Sequence, residues 1–242
     1  MEISHKTCFM KDKHPHMKKN LVWDIPVRLF HWLLVFCLFA QWLTAEVLED
    51  AMEIHFYMGY FALGLVIFRL LWGFCGTRYA KFNSFMAGPK AMVSYLQSFT
   101  SKQKNFSIGH NPVGGLLLPA VLLMVGLQAI SGLFTSDDIV SAGPYYDSAN
   151  SIVQKCMQWL HHNIFDVLLA VAVIHLLAIA WYRWALKHDL ITPMLTGKKV
   201  VEASNAITHS KLVKAVLLAI SVGIFVYWLV EVNPPPIEEY YY

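Results

Sequence analysis

Four histidines, His31, His55, His161 and His175, lie within or at the edges of long apolar runs. Ionisable, metal-binding side chains are costly in such runs and are candidates for function wherever they occur there. His31 follows Arg28 by three residues near the start of one run, and His55 follows Glu53 at the start of the next. His161 and His175 share a later run, fourteen residues apart. On a helix that spacing is close to four turns, so both rings leave one face about 21 Å apart. His162, thirteen residues from His175, turns roughly 140° away. Depth then pairs the rings: His55 with His161 toward one end of the runs, His31 with His175 toward the other. Facing imidazoles from neighbouring helices are what the iron of a b-type haem requires. The spacing therefore predicts two haem b groups, each with two histidine axial ligands.

Other accounts of these histidines are weaker. A histidine hydrogen-bonded between helices serves structure alone, but four that resolve by depth and helical phase into two pairs point to ligation. A zinc site calls for H-E-x-x-H, clustered cysteines or a carboxylate beside the pairs, and the sequence offers none of these. A proton-coupled transporter calls for broken helices and acids at the midplane, whereas the runs carry acids only near their ends, Asp166 among them. Cys8, Cys37, Cys75 and Cys156 make no C-x-x-C-H, so the haems are expected to be non-covalent.

The elements that must position these rings are membrane spans. Of 242 residues, 57% are hydrophobic and 14% charged, with mean hydropathy +0.47, against about 25% charged in soluble domains. Apolar runs at Leu29–Val47, His55–Phe74, Val113–Phe134, Ile164–Ala185 and Val213–Val230 each reach the roughly 17–25 residues a helix needs to cross a bilayer core. Lipid offers the backbone no hydrogen bonds, so the spans must be helical. The predicted fold is an all-α integral membrane bundle of five helices, a haem-binding four-helix core plus one C-terminal span.

Charge sets its direction. Lys6, Lys11, Lys13, Lys18, Lys19 and Arg28 precede span one; Arg78, Lys81, Lys90, Lys102 and Lys104 follow span two; Lys187, Lys198, Lys199 and Lys211 follow span four. The other side holds Glu46, Glu49, Asp50, Glu53, Asp137, Asp138 and Asp147, and Lys155 is its one basic residue. The positive-inside rule makes the N-terminus cytoplasmic and the expected location the bacterial inner membrane. Residues 1–20 read as a flexible basic tail without a secretory signal, residues 21–232 as the membrane domain, and residues 233–242 as a Pro/Tyr-rich periplasmic tail. Nothing in this pattern points to nucleic acid.

Four further residues are accessory candidates. Arg69 lies fourteen residues past His55 and so returns to the haem face near the inner end of span two. It could pair with a propionate of the inner haem, as could Arg28; snorkelling of a long side chain to the interface is the competing account. His110 and Asn111 stand at the inner mouth of span three, before Pro112 and the small pair Gly114-Gly115. A polar amide beside free helix N–H groups could receive a quinone oxygen, and Asn111 could equally be a helix cap ahead of a proline. Gly88–Phe99 reads as an amphipathic helix on the inner surface. Gly59, Gly64 and Gly126 suit close helix contact, and the tryptophans near span ends suit the interfacial belt.

Several of these segments resemble the bacterial cytochrome b-561 and nickel–iron hydrogenase cytochrome b group. The matching pieces are Val22–Trp32 (VWDIPVRLFHW), His55–Tyr60 (HFYMGY), Arg69–Tyr79 (RLLWGFCGTRY), Gly109–Gly114 (GHNPVG), and span four with His161, His175 and Trp181–Trp184. The resemblance runs from about Leu21 to Met194 and leaves span five and the tail unmatched. It implies haem ligation by the same four histidines and electron exchange with membrane quinone. The expected function is electron transfer between quinone and a periplasmic partner, such as a c-type cytochrome or a dehydrogenase subunit, which would suit the acidic outer loops. The narrower alternative is the membrane-anchoring cytochrome b of a periplasmic hydrogenase or formate dehydrogenase. Either way the chain is an electron-transfer subunit rather than a stand-alone enzyme.

Overall fold

The first histidine-bearing helix begins where Asp24 caps it: its carboxylate accepts from the Val27 N–H at 2.7 Å, and Pro26 occupies the first turn, where no N–H is needed. The computed structural model describes residues 17–86, 88–98, 108–137 and 141–235. The tail histidines His5, His14 and His16, with Cys8, Lys102, Lys104, Asp138 and the final residues from 236 onward, lie outside the described residues. In chain order the elements are β1 (Lys18–Leu21), α1 (Ile25–Glu46), α2 (Met52–Cys75), α3 (Pro89–Ser98), α4 (Pro112–Gly132), α5 (Ser151–Trp184), α6 (Ile191–Thr196), β2 (Lys198–Val201) and α7 (Leu212–Tyr227). A π-helical turn, Trp228–Val232, extends α7. The helices α1, α2, α4, α5 and extended α7 are long and apolar enough to cross a membrane.

Four spans agree with the apolar runs to within a few residues. The fourth does not: α5 begins at Ser151, thirteen residues before the run. Asn150 caps it, accepting from the Ile152 and Val153 N–H groups at 3.1 and 3.0 Å. The stretch Ser151–Asn163 has too many polar residues to register as a span, yet a good cap and an unbroken backbone make it helix. With 34 residues, α5 is about 51 Å long, well beyond a bilayer core of about 30 Å. His161 and His162 therefore stand inside a helix, with three helical turns preceding them.

The bundle packs α1 on α2, α2 on α4, and α4 on α5, with α7 against α2 and the edge of α1. Its middle is a core of Phe30, Leu34, Cys37, Ala62, Leu65, Val66, Leu122, Val125 and Leu168, shared by α1, α2, α4 and α5. A second cluster, Leu63 with Val222, Val226 and Val230, attaches α7 to the far side of α2. A third closes the basic end around Val22, Trp23, Val27, Trp72, Tyr79 and Ala80.

That end also holds structure absent from the sequence reading. β1 pairs antiparallel with β2, Lys18 opposite Val201 and Leu21 opposite Lys198, so the last residues expected in a flexible tail form a strand. Gly197, which ends α6, has φ +80°, a conformation glycine adopts without steric cost. Its carbonyl accepts from the N–H groups of Val22 and Trp23 at 2.8 and 3.0 Å. The expected amphipathic helix is present as α3, and it packs on α4.

Candidate functional site

His55 on α2 and His161 on α5 meet in the half of the bundle toward its acidic end, the end expected to be outer. Their ring centroids are 6.2 Å apart with planes at 74°. A metal about 2 Å from each of two facing nitrogens, each about 1.1 Å from its ring centre, would separate the centroids by about 6 Å. The spacing fits a bridging iron. Among the described residues no three His, Cys, Asp or Glu side chains gather at one point.

Hydrogen bonds orient both rings. His161 Nδ1 lies 2.9 Å from the Gln128 carbonyl oxygen and 3.2 Å from Ser131 Oγ. A carbonyl only accepts, so the Nδ1 carries the proton and Nε2 keeps its lone pair. Ser131 donates its own proton to the same carbonyl at 2.9 Å. A Cβ at Gly132 would come within 3.0 Å of the ring, so glycine there leaves His161 its place. On the other side Thr44 Oγ1 is 3.1 Å from His55 Nδ1. The Gln41 carboxamide lies against His55 and the Gly59 N–H, in space a side chain at position 59 would crowd. His162 instead donates to the Gln158 carbonyl of its own helix at 2.8 Å and faces outward.

The inner histidines are less closely joined. His31 lies close enough to His175 for the rings to interact electrostatically, but its ring packs edge-on against Trp32 at 5.1 Å. Its Nδ1 is buried without a partner. His175 is exposed in the isolated chain, because α5 packs mainly on α4.

Arg69 is the least compensated group among the described residues. It is 0% exposed, and all three guanidinium nitrogens lack a hydrogen-bond partner. The acid whose charge it feels, Asp24, already accepts from Val27 N–H, Trp72 Nε1 at 3.2 Å and Thr77 Oγ1 at 2.5 Å. The Phe82 ring lies 5.4 Å from the guanidinium carbon. A buried charge is stable only when paired and hydrogen-bonded, so the residues present fit an anionic group such as a haem propionate. Arg28 differs: it donates to the Leu195 carbonyl at the surface, though its Nε is buried without a partner.

His110 is held between Trp23 and Phe85, with ring centroids 4.7 and 4.3 Å away, and its Nδ1 is buried without a partner. Burial first, then the charges of Arg69 and Lys199, pushes it down to about 3, so it is neutral. Asn111 caps α4, its side-chain oxygen accepting from Gly114 N–H at 2.7 Å. The other half of that amide donates to Tyr182 Oη at 3.4 Å, and Tyr182 Oη is 2.6 Å from Tyr95 Oη.

Sequence reasoning missed the residues that orient the rings and the tyrosines. The signals existed: Gln41 with Thr44, and Gln128 with Ser131 and Gly132, are polar or small residues at i, i+3 and i+4 inside apolar helices, where such residues face another helix. Tyr182 lies seven residues past His175, back on its face.

A family model described as prokaryotic cytochrome b561 matches residues 22–197. Among curated relatives, the probable Ni/Fe-hydrogenase 1 B-type cytochrome subunits of Escherichia coli strain K12 and of Escherichia coli O157:H7 are each 28% identical over 150 residues. The alignment covers 51% of this chain and 63% of each relative, so the chain spans under two thirds of their length. No solved structure matches the chain.

Proposed function

The chain belongs to the prokaryotic cytochrome b561 family, and from that premise we propose that it is a di-haem cytochrome passing electrons between membrane quinone and a redox partner on its acidic side. Its coarser identity follows from the family and the five apolar helices: a multi-pass membrane b-type cytochrome that transfers electrons. The single observation that carries the finer reading is the His55–His161 pair, 6.2 Å between ring centres, with the His161 tautomer set by a carbonyl.

In this reading His55 and His161 hold the outer haem iron, and His31 and His175 the inner. Bound haem supplies one-electron redox chemistry. The protein's part is to fix ring orientation through Thr44, Ser131 and the Gln128 carbonyl, to exclude water with the core between the two sites, and to compensate propionate charge with Arg69, with Arg28 nearby. His110 and Asn111 border the quinone end. Oxidation of a quinol to a quinone would release two protons to water at the membrane surface and two electrons, which two bound haems would be able to accept singly. The test is a reduced-minus-oxidised visible spectrum with haem quantitation on the purified protein. The expected result is two haem b per chain, released without thioether cleavage; one, none, or covalent haem overturns the reading.

A narrower version is supported by the names of the two relatives: the chain serves as the membrane subunit of a hydrogenase-type complex, the partner docking on the acidic side. Co-purification from native membranes with a nickel–iron or molybdenum enzyme distinguishes that role from a free-standing cytochrome.

A further inference from the structure

Helices α1 and α7 both pack on α2 and touch each other only at their edges. At the basic end they are tied together, the Ile25 N–H donating to Ser210 Oγ at 3.2 Å. Above that tie lies an open groove of about 500 Å³ on the membrane face of the bundle. Ile25 and Leu29 of α1 form one wall, Leu212 and Val216 of α7 the other, and Gly64 and Phe68 lie in the floor. The α7 wall runs fifteen residues, from Leu212 to Tyr227, or about 22 Å. A Cβ at Gly223 would meet nothing within 4 Å, and one at Gly64 only Val222 and Val226 at ordinary contact distance. Neither glycine is needed for the chain's own packing, and both keep the groove open.

Size selects the occupant. A helix with its side chains is about 10–12 Å across and would fill on the order of 2,000 Å³ over that length. A hydrocarbon chain about 4 Å thick fills roughly 300 Å³, which the groove accommodates. Charge selects the headgroup. The mouth at Ile25 and Leu212 has Arg28 in the first turn of α1, Lys211 and Lys214 at the start of α7, and no acid in either first turn. Asp24, which caps α1, is buried and turned to Trp72 and Thr77. Lys211 donates to the Gly76 carbonyl at 3.1 Å, which uses one of its three protons.

We propose that this groove binds the acyl chain of an anionic phospholipid from the leaflet on the basic side, its phosphate at Lys211 and Lys214. Basic side chains between or beside helix ends attract such headgroups at the membrane surface. The lipid fills the gap that protein packing leaves and so joins α7 to α1. It forms no covalent bond, and the site is independent of the haem and quinone readings.

The test uses the haem-loaded protein in vesicles of mixed phosphatidylcholine and phosphatidylglycerol, each in turn carrying a photoactivatable diazirine on an acyl chain. Peptide mass spectrometry then locates the labelled residues. The expected result is labelling of the α1 and α7 groove residues, about 5-fold stronger with the phosphatidylglycerol probe. Gly223→Leu projects into the groove without meeting the chain's own atoms. It should lower groove labelling to the level of the exposed face of α5, with haem content as in the wild type. Lys211→Gln with Lys214→Gln should keep the labelling and remove the preference between probes. Labelling spread evenly over every lipid-facing helix overturns the proposal, as does equal groove labelling by the two probes in the wild type. A wild-type groove left unlabelled because a second copy or another protein's helix covers it overturns it too, and so does unchanged labelling in Gly223→Leu. The wild-type pattern decides the matter should that variant fail to fold.

Discussion

Thr44 Oγ1 stands 3.1 Å from His55 Nδ1 and 2.8 Å from the Ala40 carbonyl oxygen. The hydroxyl has one proton, and the Ala40 carbonyl can only accept it. The Gln41 amide reaches the same ring nitrogen at 2.9 Å, so the threonine hydroxyl and this amide hold the His55 ring between them. Polar groups on α1 and α4 thus orient the two rings that meet.

Thr44→Val keeps the side-chain shape and removes the hydroxyl beside His55. Loss of such an outer partner typically costs about 10- to 100-fold in metal-site affinity, so the outer haem should dissociate more readily on dilution. Ser131→Ala should do much less, because the Gln128 carbonyl remains. Haem occupancy followed by absorbance at falling protein concentration checks both; equal retention in Thr44→Val and the wild type would remove the orienting role.

The two sites should fail separately. His55→Ala or His161→Ala should remove the outer haem and spare the inner, and His31→Ala or His175→Ala the reverse. His162→Ala, whose ring bonds within its own helix, should keep both. Potentiometric titration resolves the two components; loss of a haem with His162→Ala but not with His161→Ala would mean that the ligand face of α5 is misassigned.

Arg69→Met removes a buried positive charge proposed to face a propionate. Ferric iron carries one more positive charge than ferrous, so losing a nearby cation disfavours reduction. The midpoint potential of one haem should fall by about 60 mV, equivalent to roughly 1.4 kcal/mol for one electron. Arg69→Lys should fall between. Unchanged potentials in Arg69→Met would separate Arg69 from both haems.

Much of this was legible in the sequence, for physical reasons. All five spans showed as apolar runs because lipid-facing helices are apolar most of the way round. The fourteen-residue spacing of His161 and His175 carried helical phase. The true start of α5 was hidden because Ser151–Asn163 is polar enough to read as loop, and hydropathy does not weigh an Asn150 cap. The β1–β2 pairing was illegible: KKNL and KKVV are short, charged, and separated by most of the chain. Asn111 was readable as either cap or ligand-binding amide, and the structure uses its oxygen for the cap while its NH2 faces Tyr182.

That division suggests a cleaner substitution than removing the amide altogether. Asn111→Asp keeps an acceptor for Gly114 N–H and deletes the donor, so it should retain stability while slowing quinol-dependent haem reduction. Asn111→Leu loses both and should also cost about 1 kcal/mol of stability. Equal stopped-flow rates for Asn111→Asp and the wild type would confine the residue to capping.

His110 gives a pH prediction. Its folded-state value of about 3 lies below the ordinary 6.5, so the unfolded chain binds a proton that the folded protein refuses. Stability is then complete above about pH 6.5, declines as pH falls through the interval, and loses nothing further from this group below about pH 3. His110→Phe, between Trp23 and Phe85, should flatten that acid limb in thermal melts in detergent. An unaltered limb would assign the acid sensitivity elsewhere.

The strand pairing at the basic end also dictates an order of events during synthesis. Residues 18–21 reach the ribosome exit first and must wait for residues 198–201 before β1 can hydrogen-bond to β2. Until then the carbonyl of Gly197 cannot receive the amides of Val22 and Trp23, and the start of the first helix is held only by its own Asp24 cap and its neighbours. Four spans can therefore insert and assemble before the chain is tied at that end. A clasp with so large a sequence separation forms late, since long loops close slowly, and only α7 is left to join the bundle after it.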